Sequence, residues 1–167
     1  MTNAIRILGI DPGLRRTGWG VIACEGSRLS YVAHGVVAPD EKAAFSERLL
    51  ALFEGVSAVV EAWSPHEAAV EETFVNVNAA STLKLGHARA AALIAPARAG
   101  LPVAEYAPTE IKKALVGTGG ADKTQVGFMV RRLLPACGDP GSDAADALAV
   151  AIAHAHARRL RRVGAAA

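Results

Sequence analysis

The sequence predicts a single α/β domain built on a mixed sheet flanked by helices. Three strand-like segments follow one another near the N-terminus, helical and strand-like segments then alternate to about residue 106, and the remainder is helical. A length of 167 residues suits one domain, and 51% hydrophobic residues supply a core that excludes intrinsic disorder.

The elements follow in order. Ile5, Ile7, Leu8 and Ile10 form a dense apolar run that stops at Asp11-Pro12-Gly13, as a buried strand does on meeting a turn. Residues 17–24 (TGWGVIAC) and 29–37 (LSYVAHGVV) read as two more strands, separated by the turn formers Glu25-Gly26-Ser27. Pro39-Asp40-Glu41 opens a helix whose apolar face carries Phe45, Leu49, Leu52, Phe53 and Val56. Ala68-Ala69-Val70 leads into Glu71 as a fourth strand. Residues 79–99 are rich in helix formers and end at Gly100 and Pro102, and 101–106 suit a fifth strand. After Pro108 come short helices at 109–116 and 123–134, the second with Val126, Met129, Val130, Leu133 and Leu134 on one face. The last helix runs from Ser142, its N-cap, to about Arg162. Without repeats or linkers, residues 1–162 read as one domain, and 163–167 (VGAAA) as a flexible tail.

Charge is nearly balanced, at +2. Arg158, Arg159, Arg161 and Arg162 crowd the C-terminus and leave the body slightly acidic, so bulk charge does not by itself point to nucleic acid. Cys24 and Cys137 stand far apart without a CxxC, which excludes a disulfide framework and suits a reduced, cytoplasmic protein. There is no basic-then-apolar leader, and no segment reaches the ~20 apolar residues of a membrane span, so no membrane partner is expected.

Two buried strands end on an acid: Asp11 after the first, Glu71 after the fourth. Neighbouring strands lie roughly 4.8 Å apart, so a parallel pairing puts both carboxylates at the sheet edge where open α/β sheets bind ligands. Two unrelated, solvated acids are the other reading at this point. Asp143 and Asp146 stand i, i+3 at a helix start and share a face. Complementing the helix dipole explains them equally. However, Ala144, Ala145, Ala147, Leu148, Ala149 and Val150 around them turn Asp146 toward the body of the protein, where a carboxylate needs a partner or a cation. Four converging carboxylates repel unless divalent cations neutralise them, and hard oxygen donors without His or Cys suit Mg²⁺ or Mn²⁺ rather than zinc. His154 and His156 are i, i+2 and do not make a metal pair.

GIDPGLRRTGWGV at 9–21, AVEETF at 69–74, LKLGHARA at 83–90, VGTGGADKTQV at 116–126 and DAADALA at 143–149 closely resemble the RuvC-type Holliday junction resolvases, in that family's order and spacing. The resemblance covers roughly residues 5–156. It implies a ribonuclease H-like fold, with a mixed five-stranded sheet flanked by helices on both faces. It also implies a homodimer that makes paired symmetric, Mg²⁺-dependent nicks in four-way junction DNA during recombination and repair. The implied metal ligands are Asp11, Glu71, Asp143 and Asp146; some relatives carry His at the place of Asp143, which keeps a metal-ligand type. Metal-activated water would attack the phosphodiester and leave a 5′-phosphate and a 3′-hydroxyl. No GxSxG-like nucleophile motif is present to replace it.

By the same resemblance Lys123 stabilises charge on the scissile phosphate and Lys112 holds the DNA backbone. Phe74 stacks on or wedges between junction bases, with Asn76 and Asn78 of the same loop as further DNA contacts. The alanine-rich helix at 79–99 is the implied dimer face, and two sites related by a two-fold axis match a junction's near two-fold symmetry. The RuvA–RuvB branch-migration complex is the implied partner. Glu72, beside Glu71, points to the opposite face by strand alternation. The run Gly117–Thr124 resembles a phosphate loop, but Asp122 stands where a P-loop has Gly, so no nucleotide cofactor is expected. An actin-like ATPase, which shares a GIDPG start, needs two domains around its nucleotide. A non-catalytic junction binder has no use for four converging acids.

Overall fold

A computed structural model describes residues 4–72 and 77–165. The sheet is built from β1 (Ile5–Asp11), β2 (Thr17–Glu25), β3 (Arg28–Val37), β4 (Glu67–Glu71) and β5 (Val103–Tyr106), in the order β3-β2-β1-β4-β5. The first three strands pair antiparallel; β4 joins β1, and β5 joins β4, in parallel. This is the mixed five-stranded sheet expected. The helices are α1 (Phe45–Trp63), α2 (Ala79–Arg98), α3 (Pro108–Val116), α4 (Lys123–Leu133) and α5 (Ser142–Ala165).

Strand alternation divides the core in two. Leu8, Ile10, Val21, Ala68 and Val70 face α1 and α2, where Val56, Val60, Ala92 and Ala95 meet them. Ile7, Ile22 and Ala69 face the other way, into a cluster with Ile111 of α3, Val130 of α4 and Leu148 and Ile152 of α5. Helices therefore cover both faces. The same alternation sends Asp11 and Glu71 to the α5 side, two residues beyond Gly9 and Ala69, which pair across β1 and β4.

The glycines on that face let α5 press onto the strands. A Cβ on Gly9 would stand 2.1 Å from the Ala147 carbonyl oxygen, and one on Gly18 would stand 2.0 Å from that of Asp143. Gly18 is the residue paired with Asp11. The alanine-rich sequence of α5 completes the fit, with Ala144, Ala147 and Ala151 almost fully buried.

Helix ends differ from expectation in α1 and in α5. Pro39-Asp40-Glu41 forms a turn rather than a helix start, because the Asp40 carboxylate accepts the Lys42 amide at 2.9 Å. The helix begins at Phe45, where the Glu47 carboxylate accepts the Ala44 amide at 2.9 Å. Phe45 consequently lies at the surface against the His87 ring instead of in the core. At α5, the Gly141 carbonyl accepts the Ala145 amide at 2.9 Å, so Gly141 takes the cap position and Ser142 is already helical. The helix also continues to Ala165, past residue 162 where a tail was expected.

At the far end of β4 a buried relay ties α5 to the sheet. His154, 4% exposed, has Nδ1 2.8 Å from the Tyr106 hydroxyl and Nε2 2.7 Å from Glu67 Oε2. Arg158 Nε donates to Glu67 Oε1 at 2.8 Å. Burial holds the His154 pKa below its ordinary 6.5, against the pull of Glu67. Burial alone raises Glu67, but the bonds from His154 and Arg158 outweigh it and hold the carboxyl below its ordinary 4.5.

Two expected outcomes follow from this packing. Gly9→Ala should destabilise the fold by about 1–3 kcal/mol through overpacking, seen in calorimetry as a melting temperature lower by roughly 2–4 °C per kcal/mol. Acidification should also destabilise it. Both groups bind protons more weakly when folded, so their stabilising share is complete above 6.5, starts to fall below 6.5 through His154, and falls further below 4.5 through Glu67. Thermal melts of His154→Gln against pH should lose the first limb and keep the second.

Candidate active site

Asp11 and Glu71 are the last residues of β1 and β4, and Asp146 is on the second turn of α5. With Lys112 of α3 and Lys123 of α4, they line one cleft of ≈ 260 Å³ floored by Ile111, Val126 and Ala149. Three acids distant in the chain thus meet at the sheet edge the sequence pointed to, opposite two lysines.

Their electrostatics record the crowding. Burial, the hydrogen bond with Glu71, and the charges of Glu71, Asp146 and Asp143 push the Asp11 pKa up to about 8. Glu71 is raised as well, by burial first; Asp146 adds to this, while the Asp11 bond, Lys123 and Lys112 work against it. A proton is therefore shared between Asp11 and Glu71 at neutral pH. Asp146 Oδ2 accepts from Lys123 Nζ at 3.2 Å, a bond that raises the lysine's pKa.

Lys123 is held in place by the residue before it. Asp122 Oδ1 accepts the Gln125 amide at 2.8 Å and Gln125 Oε1 accepts the Asp122 amide at 2.9 Å, a reciprocal N-cap that starts α4 at Lys123. The acid that breaks the phosphate-loop pattern is thus a helix cap. At the other end of the glycine run, Gly117 is the C-cap of α3.

Asp143 lies one turn before Asp146 and joins the group differently. It contributes to the potential at Asp11, but its Oδ2 accepts from Arg16 Nε at 2.6 Å and it lines an adjoining cleft. Among the described residues, no three His, Cys, Asp or Glu side chains stand in the geometry of a ready-made metal cage. The acids converge as pairs: Asp11 with Glu71, Asp146 with Lys123, and Asp143 with Arg16.

Asn78, read as a DNA contact, serves as the N-cap of α2, its Oδ1 accepting the Ser81 amide at 3.2 Å. Phe74 and Asn76 lie outside the described residues. Glu72 is half-buried and its amide donates to the Tyr106 carbonyl at 2.8 Å. His156 bonds the Ala114 carbonyl at 3.2 Å, apart from His154, as their spacing implied.

Three residues near the site were not singled out in the sequence. Thr17, fully buried, both accepts the Gly13 amide at 3.1 Å and donates to the Gly13 carbonyl at 2.8 Å, closing the turn after Asp11. Arg89 reaches across from α2 to the Glu71 carbonyl at 3.4 Å and pairs with Glu105. Arg16 has a visible signal, a basic pair that follows the Asp11-Pro12-Gly13 turn after Leu14, but its partner lies 127 positions away.

The family described as crossover junction endodeoxyribonuclease RuvC matches residues 7–154. The RuvC crossover junction endodeoxyribonuclease of Caulobacter sp. (strain K31) is 69% identical over 158 residues, covering 95% of this chain and 94% of that one. That of Maricaulis maris (strain MCS10) is 63% identical across 100% of both chains. The solved structure of T. thermophilus RuvC in complex with Holliday junction substrate superposes with a TM-score of 0.88 at 36% identity, covering 94% of this chain and 96% of that one. The family match and the full-length likeness show that the chain belongs to the RuvC family of crossover junction endodeoxyribonucleases.

Proposed function

We propose that this protein resolves four-way DNA junctions by hydrolysing one phosphodiester in each of two strands of like polarity, at the cleft between Asp11, Glu71 and Asp146. The observation that carries the reading is the convergence of those acids in one cleft, where burial first, and then their mutual bond and charges, push Asp11 to about 8. A group of carboxylates set this close and this deep needs positive charge beside it.

A divalent cation fits that need. Every acidic donor is a hard oxygen and none of the cleft's described lining residues is His or Cys, which favours Mg²⁺, with Mn²⁺ as a substitute, over zinc. Asp11, Glu71 and Asp146 would hold it, with Asp143 as the fourth ligand. When bound, such an ion activates water and offsets charge on the departing 3′ oxygen, so that cutting leaves a 5′-phosphate and a 3′-hydroxyl. The protein's own part is positional and electrostatic. Lys123, standing on its capped helix end, neutralises Asp146 in the free protein and faces the charge that develops on the scissile phosphate in the transition state. Lys112 lines the same cleft and orients the DNA backbone. Phe74 and Asn76, by resemblance, meet the junction bases.

The dimer has its own support. Ala79, Leu83, Gly86, Ala90 and Ile94 form an exposed, largely apolar stripe along α2, with Leu83 67% and Ile94 55% exposed. Such a stripe suits a second copy of the chain, and α2 also carries Arg89 to the Glu71 carbonyl. Among the described residues, no helix is long and apolar enough to cross a membrane. A cytoplasmic setting and partnership with the RuvA–RuvB complex complete the proposal.

Nicking of a synthetic four-way junction against matched duplex tests the reading. Paired symmetric incision of the junction alone is expected with Mg²⁺, and none with EDTA. Asp11→Asn should lower the rate by about 100-fold or more while leaving junction binding and the dimer intact; wild-type rates in that variant overturn the site assignment. Lys123→Ala should cost about 10²–10³-fold in rate at saturating junction. In analytical ultracentrifugation, Ile94→Asp should shift the protein from dimer to monomer, and an unchanged sedimentation profile rejects the α2 interface.

A further inference from the structure

Beside the carboxylate cleft lies a second one of ≈ 570 Å³, lined by Arg15, Arg16, Arg48, Ser81 and Lys84, with Asp143 as the sole acid among its described lining residues. The four cations come from three separate places: the turn between β1 and β2, α1, and the start of α2. Their surplus of positive charge fits a polyanion, and guanidinium forks match the oxygens of a phosphate as well as those of a carboxylate.

Arg16 lines the basic cleft and ties it to the acids through Asp143, whose charge acts on Asp11 in the neighbouring cleft. Its Nε donates to Asp143 Oδ2 at 2.6 Å, with the two side chains 58% and 34% exposed. An ion pair this open to water is weak and exchanges readily. Asp143 Oδ2 is also an oxygen that a cation at the neighbouring site would take. Arg16 and that cation therefore compete for one carboxylate, while a phosphodiester entering the basic cleft offers Arg16 a different acceptor.

We infer that Arg16 is an exchange residue: it neutralises Asp143 in the free protein and passes to a backbone phosphate of the DNA strand in the basic cleft, freeing Asp143 for the divalent cation. The inference rests on the proposed role of Asp143 as a ligand. It couples the two ligands, since DNA that removes Arg16 from Asp143 strengthens cation binding, and the cation strengthens DNA binding equally. Arg15 does not share this role, because its nearest acid is Glu41, at 3.9 Å.

Two binding measurements on the full chain test it: Mn²⁺ binding without DNA, followed by the paramagnetic resonance signal of the free ion, and binding of a synthetic four-way junction in EDTA across a series of salt concentrations. Arg16→Gln should bind Mn²⁺ about two- to fivefold more tightly than wild type, and its plot of log affinity against log salt should flatten by about one. Arg15→Gln removes the same charge one residue away; it should flatten the plot similarly and leave Mn²⁺ affinity unchanged. An unchanged Mn²⁺ affinity in Arg16→Gln, an unchanged salt slope, or an equal tightening in Arg15→Gln overturns the exchange. Wild-type nicking, measured alongside, reports separately on the proposed function. If nicking is intact, any of those failures removes only the exchange; if wild type fails to nick, the cutting reading falls and the two binding measurements still decide the exchange.

Discussion

The site depends on how closely α5 lies against the sheet. Its backbone rests on Gly9 and Gly18, with no room between helix and strands for even one methyl group. That contact fixes where the first two turns of α5 fall relative to the end of β1, and so how far Asp143 and Asp146 stand from Asp11. Lifting the helix by the thickness of a side chain would leave every carboxylate in the sequence and no shared site. The packing density of protein interiors makes such a contact effectively rigid, which is what pre-positioned charge requires.

The same closeness creates an electrostatic load that the fold must balance. Three kinds of positive charge do so in the free chain: a proton between Asp11 and Glu71, the Lys123 ammonium on Asp146, and the Arg16 guanidinium on Asp143. Each is exchangeable. The two ion pairs are substantially open to solvent, with Lys123 79% and Arg16 58% exposed, and pairs of that kind contribute little net stability. The acids are therefore stored in a compensated form that tolerates replacement of one counter-charge by another, as a site that binds and releases a cation and a polyanion must.

Much of this was legible in the sequence. Short apolar runs bounded by turn formers located all five strands, and acids ending two of those runs located Asp11 and Glu71. A run of alanine and leucine after Asp146 located the helix that brings it inward. What escaped detection depends on contacts between distant residues. Arg16 meets Asp143 across 127 positions, and Arg89 meets the Glu71 carbonyl from the opposite face of the sheet; no local pattern encodes either. The start of α1 is not legible in the sequence because Pro-Asp-Glu is as good a turn as a helix opening, and the choice falls to the Glu47 carboxylate three residues past Ala44. Asn78, on a loop next to a proposed DNA contact, spends its side chain on capping α2. Asp122 was noticed for what it forbids, and its cap to Gln125 shows what it supplies: the fixed end from which Lys123 reaches Asp146.

β4 shows how little the acids alone determine. It carries a glutamate at each end, on the same face and four residues apart, and burial raises both. Opposite Glu67, α5 presents His154 and Arg158, whose hydrogen bonds outweigh burial and hold the carboxyl below its ordinary value. Opposite Glu71, two turns earlier, the same helix presents Asp146, and the carboxyl is pushed up instead. One end of the strand is a satisfied anchor whose charge is fully committed to holding α5 in register. The other is left short of positive charge, next to a second acid in the same condition. The difference lies in the side chains that one helix sets against one strand, so the relay at Glu67 and the cleft at Glu71 are two results of a single alignment. A shift of α5 along β4 would spoil both together.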